Sequence, residues 1–417
     1  MSQRIDTDMK YDWIIVGGGI SGIAVAEILC REGKKVLLLE KNNRLASETS
    51  KVFHEWMHSG TLYTLAPDKL LTLRYLLGAT DDLFEYYSLY PNMNLIPTGD
   101  GMEVGPNGWF NDRSIQYKFR VRKFNPVWMM MVSRSMELVK LVSKHDWLRR
   151  RAGAEYGRSN LKLDYWFRNV TDQMSSKEKF ISVPSPDITM NSRKLMSDLL
   201  NQAMQDGLEV LVDSEVVNIK DIGSHVSVST QNGTFFAKHA VVCSPDFSSR
   251  SQQLPIKTGY APIAVVEGLD DSQESFVELD YNVKKCINLI VKNGGIGQAG
   301  GITLNRKADV QAYLEYIVAE HKKRVPSLKL IDSYVGIKKE LIKKSEERNY
   351  LYHIYNTSNN VWSVVLGKFS LAFSAAPEFY RRVYKKNPSK SKSIQLSSGK
   401  NALISETAWQ EIVNQNR

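Results

Sequence analysis

The sequence predicts an α/β protein that opens on a Rossmann-like βαβ unit, and three observations carry that expectation. An apolar run at residues 13–16 leads into Gly17-Gly18-Gly19-Ile20-Ser21-Gly22. Residues 20–32 then read as a helix stopped by Gly33, and residues 35–39 form a mostly apolar run, as a buried parallel strand requires. Glu40 ends that run, near the spacing at which an acid meets a ribose diol. Each glycine has a physical task. Gly17 permits the turn out of the strand, Gly19 lets a pyrophosphate approach the backbone, and Gly22 lets the helix pack close to the sheet. The helix N-terminus adds free N–H groups and a partial positive charge for phosphate.

Downstream, residues 43–59 are polar and read as a loop. Pro67-Asp68 opens a helix with apolar positions at helical spacing over residues 69–77, and Gly78 closes it; residues 80–90 read as a second helix. Glycines, prolines and asparagines at 91–108 mark a loop or hairpin. In residues 109–176 aromatic, methionine and basic residues interleave, and two readings stay open there: helices packed in a core, or an amphipathic surface facing a membrane or partner. Residues 192–205 form an amphipathic helix capped by Gly207. Strands are expected at 208–212, 215–219, 225–230 and 234–238, with a Gln-Asn-Gly turn at 231–233, followed by a short buried strand at 240–243. Several strands fall in 256–291 and a helix at 308–324. The chain then gives strands at 350–355 and 362–366, the turn 367–370 and a helix at 371–384 containing Pro377. The Lys/Ser-rich residues 385–400 read as flexible.

The chain has 417 residues, enough for about two or three domains. Residues 1–10 lack the apolar region of an export signal and no run approaches about 18 apolar residues, so a cytoplasmic protein is expected. Cys30, Cys243 and Cys286 are far apart with no CxxC, which argues against disulfides and zinc. The net charge of +10 gathers at 113–123, 140–158, 322–344 and 381–392. No nucleic-acid module accompanies it, so solvated helix faces account for most of it, with an anionic substrate or a peripheral membrane contact as the alternatives.

The glycine fingerprint, His58-Ser59-Gly60 with Tyr63, the segment 192–243 and Leu366-Gly-Lys-Phe-Ser-Leu-Ala-Phe-Ser-Ala-Ala376 together resemble the FAD-dependent oxidoreductases of the D-amino-acid oxidase superfamily, on the L-2-hydroxyglutarate and glycerol-3-phosphate dehydrogenase side. The resemblance covers about half of the chain. It implies a discontinuous architecture: an FAD-binding domain from residues 1–80, 184–250 and 350–395, a second α+β substrate domain on a mixed or antiparallel sheet from 81–183 and 251–349, and a tail at 396–417. It implies that Gly17, Gly19 and Gly22 hold the pyrophosphate and Glu40 the ribose, with Lys41 at the adenosine end. Thr49 and Ser50 would meet the pyrophosphate and ribityl chain, and the Val216 backbone the adenine edge. Gly367, Lys368 and Ser370 would cover the pyrimidine side of the flavin, where N–H groups and a helix dipole favour negative charge. Cys243-Ser244-Pro245 departs from the family's Ala-x-Gly, and Lys368 stands where the family's loop is neutral.

The implied activity is oxidation of a CH–NH or CH–OH group of a small, anionic metabolite or sugar derivative by hydride transfer to flavin N5. His58 is the candidate base, because an imidazole titrates near neutrality; contact with the cofactor or covalent attachment to it are the alternatives. Tyr63 would orient an acid group, and Lys338, Lys339 or Arg348 would pair with an anion. Lys368 would assist flavin reduction or face solvent. The run 294–301 holds five glycines and reads either as a loop of close approach bordering a cavity or as a structural turn. The competing function is a flavoprotein that reduces or rearranges a larger sugar- or lipid-linked substrate at a membrane surface. No metal site is expected.

Overall fold

A computed structural model describes residues 10–60, 62–63, 70–98, 101–121, 125, 127–128, 130–131, 180–342, 348–391 and 401–417. The chain divides into two compact units, Met1–Ser50 with Arg193–Lys257 and Lys339–Ser405, and Lys51–Ser192 with Thr258–Lys338 and Glu406–Arg417. The sequence reading kept residues 51–80 with the glycine fingerprint; in the structure they fall in the second unit, where Trp56–Met57 pairs with Phe180–Met190.

The first unit is built on a sheet ordered Tyr352–Ser358, Val361–Leu366, Gly233–Val242, Tyr11–Val16, Val36–Leu39, Glu209–Leu211. Its centre is parallel: Ile14 lies opposite both Leu37 and Ala240. Such strands are buried on both faces. Ile14, Val16, Leu37, Leu39, Ala240 and Val242 pack on one side; Trp13 packs edge-on against Phe379 of the helix Ala372–Tyr384. Where the sequence suggested strands at 234–238 and 240–243, one strand of 10 residues, Gly233–Val242, runs through. Its first half pairs antiparallel with Val226–Thr230 and its second half parallel with Tyr11–Val16. The change of pattern marks a change of partner, not a break.

The second unit has a sheet ordered Lys329–Leu341, Ile256–Glu267, Gly297–Gly301, Ile287–Val291, Ser275–Leu279, Phe110–Arg120, Phe180–Met190, Trp56–Met57. It is mixed, since Ser275–Leu279 runs parallel to Phe110–Arg120 while Ile287–Val291 and Gly297–Gly301 are antiparallel. The helix Val310–Arg324 covers one face through Leu314 and Ile317, against Ala264, Val266, Leu289 and Ala299. The glycine run is therefore a turn at Gly294 and Gly295 (φ +72° and +71°) followed by a central strand. A Cβ on Gly300 would stand 2.1 Å from His54 Nε2, so glycine there makes room for an imidazole.

Two expectations are corrected. The helices read at 69–77 and 80–90 are one helix, Leu71–Tyr87, with Gly78 inside it. Glycine costs a helix only about 1 kcal/mol, and the buried Leu73, Leu76, Leu77 and Leu83 around it outweigh that. Pro67-Asp68 lies outside the described residues, as do 132–179 and 392–400. The tail is also structured: Thr407 and Gln410 form a capping box for the helix Ala408–Asn416, whose Ile412 and Val413 pack on Val265 and Ile296.

That helix closes over a buried ion pair. Lys292 Nζ lies 2.8 Å from Glu55 Oε2, which also accepts from Trp409 Nε1 (2.7 Å), while Ser192 N and Oγ donate to Oε1. Burial alone would push the Glu55 carboxyl up, but the Lys292 ammonium and the Ser192 donors bring it below the usual range. Its stabilisation is thus present above the ordinary glutamate range and is lost as the pH falls through the lowered value. Replacing Lys292 by Met leaves a buried charge unpaired, and chemical denaturation at neutral pH is expected to show a loss of about 3–5 kcal/mol. The loss should shrink on acidification as Glu55 takes up a proton.

Candidate functional site

The first unit presents a groove at the carboxyl ends of its central strands, where open α/β sheets bind ligands. Its walls include Gly17, Gly19, Glu40, Lys41, Thr49, Ser50 and Val216, all singled out from the sequence, together with Ser214, Cys243, Ser244 and Leu366. Gly17 takes φ +104°. Gly22 lies behind the groove, where an added Cβ would sit 2.0 Å from the Gly17 carbonyl oxygen. The helix Ile20–Arg31 starts at Gly19 with no acid in its first turn, and Ser50 Oγ accepts from Ile20 N at 3.0 Å. Glu40 is turned onto the turn itself: Oε2 accepts from Gly18 N (2.7 Å), and Oε1 from Asn42 N and Nδ2 (2.9 and 2.8 Å). Lys41 pairs with Glu48 at 2.5 Å, and Lys339 with Asp246 at 2.6 Å.

The Cys243-Ser244-Pro245 departure has a local explanation. Cys243 N donates to Val16 O, and Ser244 Oγ caps the helix Pro245–Gln252 by accepting from Phe247 N. An added Cβ on Gly17 would meet Ser244 N at 3.1 Å, so this backbone lies directly against the glycine turn. Burial pushes the Cys243 thiol up to about 12, which keeps it an unreactive wall.

Gly367, Lys368 and Ser370 are not among the residues lining this groove. They enter the 3-10 turn Phe369–Leu371 that leads into Ala372–Tyr384. The backbone of residues 349 and 350 crosses Gly367 closely enough that a Cβ there would lie 2.5 Å from Tyr350 C. Lys368 Nζ and Arg348 Cζ both lie over the Tyr350 ring, at 4.8 and 5.1 Å. Arg348 is also held on Glu340 by Nε (2.9 Å) and Nη2, so its guanidinium is engaged within this unit. Ser370 Oγ is buried and has no hydrogen-bond partner among the described residues.

In the second unit His58 and Tyr63 come together, with their rings edge to face at 5.7 Å. The His58 ring also lies 4.0 Å from that of Trp56. Sequence reasoning missed the carboxylate beside His58, Asp187, which is fully buried. Its Oδ1 accepts from Ser59 N and Oγ (2.7 and 2.5 Å), and Oδ2 from Trp56 Nε1 and Tyr117 OH (2.8 and 2.5 Å). His58 Nδ1 stands 3.7 Å from Oδ2, an electrostatic contact too long for a hydrogen bond. Burial alone would push the Asp187 carboxyl up, but His58, Ser59 and Tyr117 together hold it below the usual range. The Tyr117 hydroxyl is pushed well up by burial and then by Asp187. No signal near residue 187 marks this role, because its partners lie 70 or more positions away.

A family model described as FAD dependent oxidoreductase (DAO) matches residues 12–338. The chain belongs to the FAD-dependent oxidoreductase family. As a member, it is an FAD-dependent oxidase or dehydrogenase, and its cofactor is FAD. L-amino acid deaminase from Proteus myxofaciens superposes with a TM-score of 0.64 at 12% identity, covering 91% of each chain. L-alpha-glycerophosphate oxidase from Mycoplasma pneumoniae, solved with FAD bound, gives 0.63 at 17% identity, covering 92% of this chain and 97% of that one. Glycine oxidase from Geobacillus kaustophilus gives 0.61 at 14%, covering 93% and 97%. UDP-galactopyranose mutase from Mycoplasma pneumoniae is 42% identical over 55 residues, which span 11% of this chain and 14% of that protein.

The residues present fit the cofactor. The glycine turn leaves the space that a Cβ would fill, the helix amides behind it face no acid in the first turn, and Ser21 Oγ is buried beside the Cys243 thiol without an oxygen or nitrogen partner among the described residues. Among the described residues no cluster of His, Cys, Asp and Glu is placed for a metal ion, and no helix is long and apolar enough to cross a membrane. Gly22→Ala should disrupt the cradle: the variant is expected to purify with less than about a tenth of the wild-type FAD content while keeping its far-ultraviolet circular dichroism. Absorbance of the denatured protein measures this.

Proposed function

We propose that this enzyme oxidises a CH–NH or CH–OH group of a small, anionic metabolite, either an amino acid or a glycerophosphate-like compound, with His58 as the base. The observation that carries the reading is His58, held between two aromatic rings beside a buried carboxylate, in a chain of this family. Structural neighbours named for glycine, L-amino acids and glycerophosphate support the substrate class.

FAD, when bound, supplies the two-electron acceptor. The glycine turn at Gly17, Gly19 and Gly22 would hold its pyrophosphate. Glu40 would exchange its contacts with Gly18 and Asn42 for the ribose, with Lys41, Thr49, Ser50 and Val216 along the same groove. Gly367, Lys368 and Ser370 would offer amide groups, a cation and a buried hydroxyl to the flavin ring. His58 would take the proton from the substrate nitrogen or oxygen as the C–H electron pair departs as hydride, leaving a C=N or C=O product. Tyr63, edge-on to that ring, would orient the substrate acid group. Arg348 fits the positioning of Tyr350 better than direct pairing with substrate, because Glu340 already holds it.

A second reading, rearrangement of a sugar-linked substrate, draws on the 55-residue match to UDP-galactopyranose mutase. Anaerobic mixing separates the two. Glycine, L-proline, other L-amino acids, 2-hydroxy acids or glycerol 3-phosphate should bleach the flavin absorbance, and His58→Asn should slow bleaching about 10²–10⁴-fold. Conversion of a UDP-linked hexose with no net bleaching, and no bleaching by the acids, would favour rearrangement instead.

A further inference from the structure

The buried carboxylates of this protein differ in what neutralises them. Glu27 holds Arg31, Glu55 holds Lys292, Glu340 holds Arg348 and Glu378 holds Arg381, each within ion-pair distance. Among the described residues no lysine or arginine pairs with Asp187; the four hydrogen-bond donors to its carboxylate are neutral, and the group beside it able to carry positive charge is His58. A buried anion without a cation is expensive, so protonation of His58 is the event that would neutralise it. The same carboxylate fixes the chain around the imidazole. Through Trp56 Nε1 it anchors the ring on which His58 lies, and through Ser59 N and Oγ the residue that follows.

We propose that Asp187 is the positioning residue for His58, holding residues 56–59 in place and supplying the negative charge beside which His58 accepts the substrate proton. This rests on the assignment of His58 as base. The proton leaves the substrate N–H or O–H for the imidazole, the C–H electron pair goes as hydride to bound FAD, and Asp187 remains ionised throughout. The ring nitrogen facing Asp187 is Nδ1. The titratable groups around His58 include Asp187 on Phe180–Met190 and Tyr63, with Tyr117 on Phe110–Arg120 bonded to the same carboxylate.

Histidine-labelled holoenzyme followed by NMR through a pH titration tests this without a substrate, His58 being assigned by its absence from His58→Asn. In Asp187→Asn the pH at which His58 protonates should fall by a unit or so, with FAD content unchanged. In Tyr117→Phe, which removes a donor competing for the same carboxylate oxygen, it should rise. The opposite signs separate a charge effect from a general loosening, and Tyr117→Phe carries the test if Asp187→Asn fails to fold. Anaerobic reduction by glycine, L-proline and glycerol 3-phosphate should slow about 10- to 100-fold in Asp187→Asn, and the double variant with His58→Asn should be no slower than His58→Asn alone. An unmoved His58 titration in both variants would overturn the role of Asp187. Reduction at the wild-type rate in His58→Asn would instead overturn the base assignment, so the two failures are distinct.

Discussion

The Gly17 carbonyl leaves no room for a side chain at residue 22, and the first unit is organised around that contact. Because the helix Ile20–Arg31 lies this close to the end of Tyr11–Val16, its first amide groups face the groove at the sheet's carboxyl edge. The neighbouring strand then brings Glu40 to the same edge, where its carboxylate ties Gly18 and Asn42. Val16 O in turn accepts from Cys243 N, which sets the third segment against the turn. One steric requirement therefore fixes the relation of pieces separated by more than 200 residues. A longer side chain at residue 22 would push back the helix, and with it the charge that favours a phosphate.

This part of the molecule was legible because each constraint is local. Gly17, Gly19, Gly22 and Glu40 are spaced by backbone geometry, and the helix Ser192–Gln205 falls at the residues its period indicates. Errors arose where a local signal was outweighed by packing. Gly78 reads as a helix stop, yet the apolar face of Leu71–Tyr87 continues on both sides of it. Residues 396–417 read as a tail, yet Ile412, Val413 and Trp409 suffice to seat a nine-residue helix once the capping box has satisfied its first turn. The glycines at 294–301 suggested a loop of close approach or a structural turn, and two of them do form a turn. The others serve a central strand because Leu269, His54 and Tyr313 need the space that side chains at Gly297, Gly300 and Gly301 would fill.

The polar interior of the second unit was not legible for a different reason. Glu55 finds Lys292 at a separation of 237 positions and Trp409 at 354; Asp187 finds Trp56 at 131. No periodicity encodes such pairs. The signal available in the sequence was weaker: a run of Glu55, Trp56, His58 and Ser59 dense in hydrogen-bonding side chains, beside a strand short enough to need anchoring. The resemblance carried by His58-Ser59-Gly60 and Tyr63 gave no sign of Asp187, Trp56 or Tyr117.

Two buried carboxylates flank that run, and their environments assign them different work. Glu55 meets an ammonium 2.8 Å away, three further donors and the helix that seals it; its charge is compensated, and little of it is felt elsewhere. Among the described residues the hydrogen-bond donors to the Asp187 carboxylate are neutral. Hydrogen bonds from Trp56, Ser59 and Tyr117 stabilise the ionised form, but as neutral donors they do not cancel its charge. A low-dielectric interior carries that charge to the His58 imidazole, 3.7 Å away. Glu55 therefore serves as a structural anchor, since neutralising it needs nothing from the substrate. Asp187 is left with an incomplete balance that a proton arriving on His58 would complete, and that is the asymmetry a base requires.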